Sequence, residues 1–278
     1  MITIKSEEEI KILREGGKKL AQILKKVASQ VKPGISTGYL EKLACEMIAA
    51  AGGRPSFKGY QPNSDTDPYP TALCTSINDE IVHAPSLPSR VLRSGDIVGI
   101  DVGMEYPYML RGAQSDTDFL KYGPRKKGLY TDMAVTVPVG KINARSKLLL
   151  NTTKKALELG IKQIKPGNTL KDIGRAVQKH AESHGFSIVR DLVGHGVGYR
   201  VHEDPQIPNF VANDNIFPDV VLRPGMVLAI EPMVNVGGWE IMTGEDGLTL
   251  KTIDGSMSAQ FEHTIAVTKK GHMILTEL

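Results

Sequence analysis

Cysteine is nearly absent from this chain. Cys45 and Cys74 are the only two in 278 residues, and neither stands in a CxxC or other ligand spacing. A disulfide framework is therefore not expected, and a reducing cytoplasm suits the composition. Long apolar runs are missing as well. No stretch approaches the roughly 18–20 apolar residues of a membrane span. Glu7, Glu8 and Glu9 occupy the place where a secretory signal would carry its apolar segment. The expected location is the cytoplasm, with no membrane partner. An excess of one charge is also lacking. Lys and Arg number 34 against 31 Asp and Glu, and the net +3 is too small for a nucleic-acid footprint. No GxGxxG or Walker pattern occurs, so phosphate cradling finds no support.

What remains is an ordinary globular composition, 41% hydrophobic and 23% charged, in a length that can bury a sizeable core. Ser6 with Glu9 three residues on forms a capping-box pattern, and Ile10, Leu13, Leu20, Ile23 and Leu24 follow at near-helical spacing. Lys32-Pro33-Gly34 stops that helix. A second carries Leu40, Leu43, Met47 and Ile48 and ends at Gly52-Gly53.

The same order then returns. A helix over Leu148 to Ile164 is stopped by Lys165-Pro166-Gly167, and another restarts through Leu170, Ile173 and Val177. The offset is 133 residues at Lys-Pro-Gly and 130 from Leu40/Leu170 onward. Two matching strands follow at 130, one ending on Asp101 (Gly95-Asp96-Ile97-Val98-Gly99-Ile100-Asp101), the other on Glu231 (Gly225-Met226-Val227-Leu228-Ala229-Ile230-Glu231). Asp132 and Glu262 stand 130 apart too, each leading into an apolar strand. The expectation is one domain, 1–278, of two halves at about 1–140 and 141–278, related by a pseudo-two-fold axis. Two copies are too few for a solenoid.

The duplicated acids carry the chemistry. Strands apolar on both faces are buried, and a carboxylate there loses its hydration at a cost of several kcal/mol unless a cation compensates. Neither strand offers a nearby Lys or Arg. Four converging carboxylates repel unless divalent cations sit among them. Carboxylates with one imidazole suit Mn, Fe, Co or Zn, and two ions sharing carboxylates would use all four acids. The imidazole is assigned to His195 in Val193-Gly194-His195-Gly196-Val197-Gly198, where glycines leave room around the ring. His202 lies seven residues on, and His83 follows Ser76-Ile77-Asn78-Asp79-Glu80-Ile81-Val82. His180, His184 and His272 are read as solvated or packing residues.

In this order and in duplicated halves, Asp101, Asp132, His195, Glu231 and Glu262 resemble the type I methionine aminopeptidases. The motifs are Ser76-Ile77-Asn78 leading to His83, Gly194-His195-Gly196-Val197-Gly198 with His202-Glu203-Asp204-Pro205-Gln206, Glu231-Pro232-Met233-Val234, and Ser258-Ala259-Gln260-Phe261-Glu262-His263-Thr264. The likeness spans nearly the whole chain. It implies the pita-bread fold of the α/β (α+β) class, a curved antiparallel sheet covered by helices. It also implies a two-metal hydrolase that removes methionine from the N-termini of nascent polypeptides and prefers a small second residue.

By that resemblance Asp101, Asp132, His195, Glu231 and Glu262 hold two divalent ions (Co, Mn, Fe or Zn), with Asp132 and Glu262 bridging. Glu231 also accepts a proton from the attacking water. His202 stabilises the carbonyl oxygen, and His83 holds the peptide nitrogen. Tyr69 and Cys74 match substrate-pocket positions. A monomer is expected, without a specific nucleic-acid partner, and contact with the ribosome is left open.

Three departures from the family stand out. Asp101 and Asp132 are 31 residues apart, where the family's gap is near ten. The extra segment, about 105–127, carries Tyr106-Pro107-Tyr108, Asp116, Asp118 and Arg125-Lys126-Lys127, and reads by default as a long hairpin excursion. Val201 and Leu248 stand where relatives carry an aromatic and a Trp, which predicts a wider methionine pocket. Competing readings are a prolidase-like X-Pro aminopeptidase on the same fold, which usually carries a further N-terminal domain, and a metal-free peptide-binding relative, which would need broken ligands.

Overall fold

A computed structural model of the chain describes residues 1–61, 67–108 and 128–278. Asp116, Asp118 and Arg125-Lys126-Lys127 of the extra segment lie outside them. The first half opens with α1 (Glu7–Ala28), capped as its sequence predicts: Glu9 N–H donates to Ser6 Oγ, and the Glu9 carboxylate accepts from Ser6 N–H. Next come α2 (Thr37–Ala50) and strands β1 (Arg54–Pro55), β2 (Leu73–Ile77), β3 (Glu80–Val82), β4 (Ile97–Tyr106) and β5 (Leu129–Pro138). β4 and β5 pair antiparallel along their whole length, from Ile97 opposite Pro138 to Tyr106 opposite Leu129.

The second half repeats the helices as α3 (Ala144–Ile161) and α4 (Leu170–Ser183). α3 is shifted toward the N-terminus from its expected span because Asn143 Oδ1 caps it by accepting from Ser146 N–H at 2.8 Å. Strands β6 (Ser187–Ile188), β7 (Gly194–Gly196), β8 (Glu203–Ile207), β9 (Val227–Ile230) and β10 (Met233–Asn235) follow. The chain ends with β11 (Ile241–Thr243), β12 (Leu250–Thr252), β13 (Ser258–Gln260), β14 (His263–Thr268) and β15 (Gly271–Ile274). All pairing between these strands is antiparallel, and β15-β14-β9-β7-β8 forms the sheet with the most strands among the described residues.

The repeat seen in sequence is repeated in hydrogen bonding. Gly34 N–H donates to Leu92 O at 2.9 Å, and Gly167 N–H to Leu222 O at 3.2 Å. Isolated bridges join Ser36 to Val91 and Thr169 to Val221. Gly34 and Gly167 have φ of 89° and 92°, a left-handed turn in which a side chain would be strained. The copies are not identical. Ile97 faces Pro138, but its counterpart Val227 faces Ala266 rather than Thr268, a register difference of two residues. A shift of two keeps every side chain on its own face.

Each half packs its helix pair over its own strands. Leu20, Leu24, Leu40 and Ile48 meet Val98, Ile100 and Val102, while Leu157, Ile173 and Val177 meet Leu228, Ile230 and Ile265. α1 also reaches across: Leu13 joins Val197, Ala229 and Ala266 in a further apolar cluster. Among the described residues no helix is long and apolar enough to cross a membrane.

Candidate metal centre and substrate cavity

The two halves meet at β5. Thr264 Oγ1 donates to Asp132 O at 2.7 Å and accepts from Asp132 N–H at 2.9 Å. Thr136 Oγ1 does the same with Gln260, at 2.7 and 3.0 Å, and Glu262 N–H donates to Ala134 O at 2.9 Å. These bonds set Asp132 of the first half beside Glu262 of the second. Asp101 lies in the buried strand β4, Glu231 directly follows β9, and His195 is the middle residue of β7, opposite Ala229. The glycines flanking His195 have a steric reason. A Cβ on Gly196 would come within 2.1 Å of Asp204 O, so only glycine lets β7 and β8 close up beside the imidazole.

The five residues predicted to hold metal come together. Ligand atoms of Asp132, His195 and Glu262 lie within 4.8 Å of one another. His195 Nε2 is 3.6 Å from Glu231 Oε1, and the Asp101 carboxyl is in hydrogen-bonding contact with that of Asp132. His195 Nδ1 lies 2.8 Å from Gly196 O. A carbonyl only accepts, so the proton sits on Nδ1 and the Nε2 lone pair faces the acids. Burial lowers the His195 pKa to about 4, leaving the ring neutral and able to ligate.

The acids are short of partners. Asp101, Asp132 and Glu262 are 8%, 4% and 2% exposed. Asp101 Oδ1 and Glu262 Oε1 are buried without a hydrogen bond. Burial first, and then the neighbouring Asp132 and Glu231, hold Asp101 and Glu262 far above the usual carboxylate range. Burial lifts Asp132 to about 7. Glu231 is raised by burial and by Asp132, although Gln260 Nε2 donates to its Oε2 at 3.2 Å. Among the described residues no Lys or Arg forms an ion pair with any of the four. Orphaned carboxylate oxygens and a neutral imidazole are a donor set that divalent cations fit.

The centre lies on a cavity of about 1010 Å³, also lined by His83, His202, Tyr69, Cys74 and Leu248. His83 sits at φ 60°, an uncommon conformation for a non-glycine residue. The His202 ring packs edge-on against His195, with centroids 4.5 Å apart. Its Nδ1 is 2.9 Å from Tyr60 Oη. Tyr69 Oη donates to Cys74 Sγ at 3.2 Å. Burial and the nearby Asp101 hold the Cys74 thiol well above its usual pKa, which makes it a cavity wall rather than a nucleophile.

Leu248 reaches the cavity, but Val201 packs behind its wall with Phe57 and Cys74. Of the remaining histidines, His180 and His184 lie against each other at the end of α4, their rings tilted by 53°, and His272 Nδ1 bonds Ile164 O. Tyr60 and the role of Gln260 escaped the sequence reading. Gln260 sits inside a quoted motif without a titratable group to draw notice, and Tyr60 lies in a loop without periodicity.

Buried acids around a neutral imidazole, on the floor of a peptide-sized cavity between duplicated halves, define a metal-dependent enzyme of the pita-bread fold. The chain belongs to metallopeptidase family M24, whose profile matches residues 11–117 and 112–269. It is 41% identical over 277 residues to a methionine aminopeptidase of Aquifex aeolicus, covering 100% of this chain and 99% of that one. A crystal structure of methionine aminopeptidase from Thermotoga maritima superposes with a TM-score of 0.86 at 42% identity, with both chains fully covered. A prolidase from Pyrococcus horikoshii shares the fold at TM-score 0.70 and 21% identity; the match covers 99% of this chain and 63% of the prolidase.

Proposed function

We propose that this chain is a methionyl aminopeptidase: it hydrolyses the first peptide bond of polypeptides that begin with methionine and favours a small second residue. The observation that carries this reading is the cluster of four carboxylates, with the buried Asp101 Oδ1 and Glu262 Oε1 left without a hydrogen bond, beside a neutral His195 on a cavity that also holds His83 and His202. Full-length identity of about two fifths to methionine aminopeptidases supports the substrate. Two divalent ions, from Co, Mn, Fe or Zn, would suit the donor set: Asp101 and Asp132 would help hold one, His195 and Glu231 the other, and Asp132 and Glu262 would contribute to both.

Such ions, when bound, lower the pKa of water toward neutrality and polarise a carbonyl. Glu231 receives the proton released by the attacking water and delivers it toward the leaving amine. With Nδ1 engaged by Tyr60, His202 presents Nε2 to the carbonyl oxygen as it becomes tetrahedral. His83, on its strained turn, holds the peptide nitrogen. Tyr69, Cys74 and Leu248 wall the space for the thioether. The substrates are the N-termini of new polypeptides, which such an enzyme would meet at the ribosome.

Cleavage of Met-Ala-Ser is compared with cleavage of Ala-Pro-Ser, each with and without a chelator. Release of methionine from the first peptide alone, abolished by the chelator, is expected. Turnover of the second peptide only would reverse the substrate assignment.

A further inference from the structure

The turn that delivers His202 is held from outside the cavity by the first residues of the chain. Glu203 directly follows His202. Its Oε1 accepts from the backbone N–H of Arg200 at 2.9 Å and from that of Tyr199. Its Oε2 accepts from Lys5 Nζ at 2.6 Å and from Thr3 Oγ1. Both side chains of the Lys5–Glu203 pair are buried, 1% and 5% exposed. Lys5 is fixed in turn: its backbone N–H donates to Gly225 O at 2.8 Å. Its stem fills the space beside Gly198, where a Cβ would lie 2.5 Å from Lys5 Cε. Tyr199, at the start of the same turn, donates its hydroxyl to Glu9 Oε1 of α1 at 2.7 Å.

His202 itself has little to hold it. The residue is exposed to the cavity, its ring rests edge-on against His195 and Tyr60, and Tyr60 Oη is the hydrogen-bond partner of its Nδ1. Its aim therefore depends on the backbone that carries it. A buried ion pair is a poor source of net stability, because apolar residues of the same shape serve as well. Charge-assisted bonds with several donors on one carboxylate do fix a direction. Here they fix the turn that ends on the histidine.

We propose that Lys5 and Glu203 are positioning residues for the reaction: the buried pair clamps the 199–203 turn so that His202 Nε2 meets the substrate carbonyl. The N-terminal segment of the first half thereby sets a group supplied by the second. This inference rests on the role given to His202 above, and the test separates the two.

Lys5→Met removes the charge and keeps the stem. It is made alone and together with His202→Ala, and kcat and KM for Met-Ala-Ser are measured alongside metal content and thermal unfolding. Lys5→Met alone is expected to lower kcat about 10- to 100-fold, the cost of a misplaced group, with KM and metal content within about 2-fold. In the His202→Ala background it should cost less than about 2-fold, since the group it aims is gone. An equal loss in both backgrounds, or no loss in either, overturns the clamp. No effect of His202→Ala alone overturns the role of His202 instead. Should Lys5→Met not fold, Lys5→Arg keeps the charge but displaces the donor, and the same pattern across the two backgrounds is required of it.

Discussion

At the scale of single residues, the centre is a problem in electrostatics. Asp101, Asp132, Glu231 and Glu262 crowd together where burial pushes every one of their pKa values up, and repulsion from neighbouring acids adds to it at Asp101, Glu231 and Glu262. Protonation relieves this in the metal-free protein, and divalent cations relieve it in the loaded one. The neutral His195, its Nδ1–H spent on Gly196 O, is poised for the second state. Asp101→Asn keeps the shape and removes a charge that the metals need. It is expected to fold normally, bind metal at least about 100-fold more weakly and lose activity in parallel, since even outer-shell changes at metal sites cost about 10- to 100-fold. Metal titration followed by calorimetry, with hydrolysis of Met-Ala-Ser on the same samples, checks both. Full metal-dependent activity in the variant would remove Asp101 from the centre.

At the scale of elements, the strands matter for where they end and how closely they approach. Gly196→Ala places a methyl against Asp204 O in the β7–β8 ladder. Overpacking of this kind costs about 1–3 kcal/mol, so a lower denaturation midpoint together with reduced metal content is expected. An unchanged midpoint would mean that β7 can move away from β8. The N-terminal clamp predicts a pH dependence. Burial raises the Glu203 carboxyl, but Lys5, Thr3 and the turn's N–H groups outweigh it and hold the group below the usual carboxylate range. A depressed folded pKa contributes stability above the unfolded value and loses it as pH falls through the folded one. Wild type should therefore exceed Glu203→Gln in stability near pH 7, and the gap should narrow on acidification below about pH 4. Urea titrations across that range measure it; a constant gap would show that the carboxylate's charge is not what holds the turn.

Much of this element order was legible in the chain. Lys32-Pro33-Gly34 and Lys165-Pro166-Gly167 mark the same left-handed turn twice, and Ser6 with Glu9 marks a helix start that the structure reproduces bond for bond. The start of α3 was not legible, because Asn143 caps it ahead of the first periodic apolar residue. The two-residue register difference between β4–β5 and β9–β14 leaves the pattern of faces unchanged and so leaves no mark in the sequence.

At the scale of the whole molecule, the site exists because two similar halves are joined across β5 and β14. Thr264 and Thr136 stitch the backbones together, and α1 lays Leu13 over the strands of the other half. The acids could be read as a set from their 130-residue offset, since the duplication itself predicted their convergence. Tyr60 against His202, and Lys5 against Glu203, could not. Those contacts join segments far apart in sequence, and nothing local in either partner announces the other.

The most direct measurement is an anomalous-difference map from crystals grown with manganese or zinc, recorded on both sides of the metal's absorption edge. Two peaks about 3.5–4 Å apart, ringed by Asp101, Asp132, His195, Glu231 and Glu262, are the expected result. Metal found elsewhere, with these five side chains bare, would contradict the account.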